Sequence, residues 1–181
     1  MTSPLAWPAF LEATGRLREA AGALALLIAH TLTAQFSGSA YLILEDDEDG
    51  DVRWLHSVLD AGGRTLFAFS DGAMLPTLAE DSPLRAAWGQ LDPADPVSLE
   101  QGVHGLRPAR AIFDDVPDDL PCDGITDDHS CLLLSTAARP GCWNFGWDFD
   151  GEEAQRLARP YGAPLRPVRR RPSAPFPAPG R

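Results

Sequence analysis

One change of period constrains this chain more than anything else. Apolar residues recur at helical spacing through the first 35 positions. The repeat then stops at Ser37-Gly38-Ser39 and gives way to short runs of the kind strands make. Phe10, Leu17, Leu24, Leu27, Ile28 and Thr31 line one stripe of a helix over 4–35. Pro4 and Pro8 sit near its start, where proline is tolerated, while Gly15 and Gly22 weaken it.

A strand meander follows. Residues 40–44 (AYLIL) form a continuous apolar run, the pattern of a buried strand. Residues 52–59 alternate loosely, which predicts Trp54 and Val58 on one face and Leu55 and Leu59 on the other. Asp60-Ala61-Gly62-Gly63 reads as a hairpin loop, since glycine reaches positive φ at little steric cost. A third strand over 64–70 carries Leu66, Phe67 and Phe69. Connections this short make the strands antiparallel neighbours.

The middle of the chain breaks into short pieces. Ser82 is a good N-cap and Pro83 a good first helical residue, so a helix is predicted from there, ending at Asp92-Pro93. A second short helix is predicted over 98–104. Residues 105–130 are rich in Pro, Asp and Gly and read as loop, with a strand at 111–113. Further strands are predicted at 131–135 and 143–149, and a short helix at 151–158. Seven of the 22 residues from Pro160 onward are proline, a composition that disfavours any hydrogen-bonded ladder.

These elements predict an α+β fold: an antiparallel sheet of about five strands packed against the long N-terminal helix. The expected organisation is a single domain over 1–160 followed by a disordered Pro/Arg-rich tail over 161–181.

Charge is the strongest compositional asymmetry. The net charge is −11, every basic residue is arginine, and there is no lysine. Five arginines follow residue 163, where there are no acids, so residues 1–163 hold ten arginines against 26 acids, a balance of −16. Such a body repels nucleic acid and anionic membrane and favours a basic protein partner. Six acids (Glu45, Asp46, Asp47, Glu48, Asp49 and Asp51) crowd the first hairpin turn. They resemble part of a calcium loop, but the glutamate that should stand twelfth is His56, so a solvated turn is the better reading. With the aromatic stripe Trp143, Phe145, Trp147 and Phe149, whose Trp143 and Trp147 are interface-type anchors, they are the candidate partner-binding residues.

Chemistry finds less support. There is no P-loop, Rossmann glycine pattern, nucleophile elbow or H-E-x-x-H. Cys122, His129, Cys131 and Cys142 are ligand types that zinc prefers, yet no C-x-x-C pair groups them. No cofactor is expected. Three cysteines without a dense framework, and an apolar run at 20–29 too short to span a bilayer, point to a cytoplasmic protein. The leading expectation is a non-enzymatic interaction module that binds a basic partner, as immunity proteins or DNA mimics do. The alternative is a small enzyme or metal protein built on Cys122, His129, Cys131 and Cys142.

The tail should be dispensable for folding. Deleting 164–181 should leave stability to denaturant within about 1 kcal/mol of the intact chain. A larger loss would mean that it packs on the acidic body.

Overall fold

The computed structural model describes residues 6–46, 53–69, 73–106, 113–122, 124–126 and 128–139. Three helices, α1 (Ala6–Gln35), α2 (Pro83–Ala87) and α3 (Pro96–Gly105), accompany five strands: β1 (Ser39–Asp46), β2 (Arg53–Asp60), β3 (Thr65–Ala68), β4 (Asp114–Asp115) and β5 (His129–Leu133). The strands form one sheet in the order β3-β2-β1-β5-β4, and every pairing is antiparallel. This is the expected α+β architecture. Among the described residues no helix is long and apolar enough to cross a membrane.

The sheet is built outward from β1. Its residues Ser39 to Leu44 are buried without interruption, because β2 and β5 cover both edges and both faces are packed. Leu42 and Leu44 face α1 and α3, joining Ala25, Ile28, Leu32, Leu99, Val103 and Leu132 in the larger core. Tyr41 and Ile43 face the other way, into a smaller cluster with Leu59, Leu120, Cys131 and Leu133. An unbroken apolar run is what a strand buried on both faces requires.

The cap chemistry follows the sequence. Ser82 caps α2, its Oγ accepting from the Leu84 amide at 3.3 Å, with Pro83 behind it. The helix is shorter than predicted, because Gly89 turns the chain at φ +63°. α3 begins earlier than predicted. Asp95 is its N-cap, accepting from the Val97 amide at 3.0 Å, and Pro96 takes the first turn. Two contacts tie this region to α1. The Trp88 indole donates to Thr31 Oγ at 2.8 Å, and Gln35 Nε2 donates to the carbonyls of Pro76 and Pro93 at 2.8 and 2.9 Å. The Trp88 bond satisfies buried polar groups that would otherwise destabilise the interior.

Several expectations are corrected. Phe10 and Leu17 do not join the core; only the second half of the α1 stripe, from Ala21 onward, packs on the sheet. Leu55 and Val58 share the α1 face although they are three residues apart. The cause is a β-bulge: Leu44 pairs with Leu55 while Ile43 pairs with Ser57, so His56 is an extra residue that reverses the alternation. The strand predicted at 111–113 is the two-residue β4 at Asp114–Asp115, and β5 starts two residues early, at His129. The elements predicted at 143–149 and 151–158 lie outside the described residues.

The β2–β3 turn requires glycine at position 63. Asp60 Oδ1 accepts from the amides of Gly62 and Arg64 at 2.9 and 3.0 Å, closing the loop. Gly63 holds φ +86°, and a Cβ there would stand 2.8 Å from the Pro121 carbonyl oxygen. Gly63→Ala should therefore cost about 1–3 kcal/mol in denaturant melts. Ile28→Ala or Leu32→Ala should cost about 2–5 kcal/mol, since both side chains are fully buried. Leu17→Ala should stay within about 0.5 kcal/mol, as for an exposed site.

Candidate functional site

Burial of β1 stops abruptly at Glu45, and charge begins there. Glu45 is exposed and Asp46 half-buried. Across from Glu45 lie Trp54 on β2 and His129 on β5, so all three stand on one face at one end of the sheet. Trp54 is 52% exposed, although large aromatic residues more often shelter their area. The Asp46 amide donates to the Asp128 carbonyl at 2.9 Å, and Ser130 Oγ reaches Asp46 Oδ1 at 3.5 Å. These bonds bring Asp46 and Asp128, about eighty residues apart in the chain, together at the end of the sheet.

Two imidazoles sit at the same place. The bulge turns His56 toward His129; their ring centroids are 4.8 Å apart in an edge-to-face arrangement. His56 Nδ1 lies 3.0 Å from Ser57 Oγ. Burial holds His56 below the ordinary imidazole range, and the neighbouring His129 adds to this, while Glu45 opposes it. The His129 ring closes the turn before β5: its Nδ1 accepts from the Thr126 amide at 3.2 Å, and its own amide donates back to the Thr126 carbonyl at 3.1 Å. A neutral ring that accepts at Nδ1 carries its proton on Nε2. That nitrogen is buried and has no hydrogen-bond partner among the described residues.

The sequence-predicted site residues separate into groups. Glu45 and Asp46 stand at the sheet end described above. Asp47, Glu48, Asp49 and Asp51, with Trp143, Trp147 and Cys142, lie outside the described residues. Cys131 is buried in the smaller core cluster, its Sγ 3.5 Å from the Asp115 carbonyl. Cys122 packs at the margin of that cluster and directs its Sγ to the Leu120 carbonyl at 3.3 Å. Among the described residues, no group of three or more His, Cys, Asp or Glu side chains is arranged to hold a metal ion. The bond from the Thr126 amide also works against His129 as a ligand through Nε2, which would need the ring proton on Nδ1. Sequence reasoning missed Trp54, His56 and Asp128. The acids before β5 were visible as composition, but the pairing that brings them to β1 was not.

Comparison with protein-family models, curated proteins and solved structures finds no match.

Because His56 is held below its ordinary value of 6.5, its linkage has a definite sign. Well above pH 6.5 the ring is neutral folded and unfolded, and the full stability is present. As pH falls below 6.5, the unfolded chain takes up the proton first, and stability is lost until the folded ring also titrates. His56→Gln should flatten this part of the curve between about pH 7 and 5, read from denaturant midpoints. An unchanged slope would show that the ring is not shielded.

Proposed function

We propose that the protein is a non-enzymatic interaction module whose acidic sheet end receives a basic protein partner, in the manner of an immunity protein or a DNA mimic. The single observation that carries this reading is the pairing of exposed Glu45 with the exposed ring of Trp54, at the sheet end where the Asp46 backbone bonds to that of Asp128. An aromatic anchor supplies area at low entropic cost, and an arginine or lysine of the partner can lie over its face. The surrounding carboxylates then raise the rate of encounter more than the final affinity. The connection between β1 and β2, with Asp47, Glu48, Asp49 and Asp51, starts and returns at this end and adds to the same field.

The balance of −16 over residues 1–163 supports the sign of the partner and opposes nucleic acid or anionic lipid as a ligand for the body. The proposal places the protein in the cytoplasm, where Cys122 and Cys131 stay reduced. It requires no cofactor.

The test is kinetic. A partner isolated from the native host should associate fast at low salt, and the rate should fall by about tenfold or more between 20 and 300 mM salt, because exposed charges are screened within about 8 Å at physiological ionic strength. Neutralising Asp46, Asp47, Glu48 and Asp49 together should slow association while leaving the thermal midpoint unchanged. Trp54→Ala should instead speed dissociation, by about tenfold. The proposal fails if association is equally fast at both salt concentrations and neither variant alters the kinetics.

A further inference from the structure

Among the described residues, nothing packs over the first half of α1. From Trp7 to Ala20 every described side chain is exposed except Thr14, which is half-buried; burial begins at Ala21. An unsupported helical stretch of this length is marginal in water, and Gly15 weakens it further. Yet its apolar residues are not scattered. Trp7, Phe10, Thr14 and Leu17 continue, at alternating spacings of three and four, the seam that Ala21, Leu24, Ile28 and Thr31 press onto the rest of the fold. Trp7 and Phe10 stack with ring centroids 5.4 Å apart. Trp7, Phe10, Leu11 and Leu17 are 66, 57, 52 and 46% exposed. Four large apolar side chains on one short stretch are more than an ordinary surface leaves open.

We infer that this seam is a self-association surface, on which a second copy of the chain docks its own α1 in antiparallel fashion about a two-fold axis. Charge selects this occupant. Copies of a body this acidic repel one another, but the 6–21 stretch holds Glu12, Arg16, Arg18 and Glu19 and is neutral. Glu12 and Arg16 also pair within the helix at 3.7 Å. A neutral apolar surface suits a second copy better than it suits the basic partner proposed above. A twofold pairing is self-complementary, so each Trp7 end meets the Leu17 region of the other copy. Aromatic side chains that bury about 150–250 Å² when fully covered imply roughly 400–500 Å² per copy here. That is below the roughly 800 Å² per partner of a standard interface, so the dimer is weak and concentration-dependent.

Sedimentation of the intact chain over a concentration series tests this. The mass should rise from 19.5 kDa toward twice that value as concentration approaches about 1 mM. The association should persist at high salt, which separates it from any contact made by the acidic sheet end. Phe10→Glu with Leu17→Glu should weaken association by roughly tenfold or more. The thermal midpoint should not change, because neither side chain is in the core. A wild-type mass that stays at 19.5 kDa throughout overturns the inference, as does a folded double variant that associates as well as the wild type.

Discussion

Uninterrupted burial of β1 from Ser39 to Leu44 is the constraint on which the rest of the structure depends. A strand with six consecutive residues away from water needs hydrogen-bonded neighbours on both edges and a layer on each face. β2 meets the first demand locally, through a hairpin. β5 meets it only after the chain has passed through α2, α3 and β4. One face takes α1 and α3; the other takes the irregular chain around Leu120, Cys122 and Ile125. The two-residue β4 then covers the outer edge of β5.

Where that burial ends, the chemistry changes within one residue. Leu44 is fully buried and Glu45 is exposed. The same antiparallel registers that pack the core set Trp54 and His129 beside Glu45. The Asp46–Asp128 backbone bond brings Asp128 alongside. The sheet end is thus a consequence of core packing, and topology adds Asp128 to the charge that the local sequence already holds. The bulge at His56 adds a ring that the regular alternation would have sent to the α1 face.

Much of this was legible in the sequence. The 3.6 period of α1, the apolar run of β1, the Gly-Gly turn and the Ser82-Pro83 start each express a local rule that the fold obeys. What was not legible depends on distant partners. Phe10 and Leu17 carry the same period as Ile28, and only tertiary packing decides which half of the stripe is covered. A bulge leaves no mark in a loosely alternating strand, so Leu55 and Val58 were placed on opposite faces. The short β4 falls in a Pro/Asp-rich segment whose propensity argues against a strand, and its pairing with β5 overrides that preference. Of the candidate site, the acids at Glu45 and Asp46 could be read directly. The contributions of Trp54, His56 and Asp128 required the register.

The central claim is that the acidic end of the sheet is the surface that meets a partner. Hydrogen exchange of the protein, with and without a bound basic partner, examines it most directly. The account predicts new protection in the segments around Glu45, Trp54 and Asp128, with α2 and α3 unchanged. Protection confined to α2 and α3, with the sheet end exchanging as in the free protein, would contradict it.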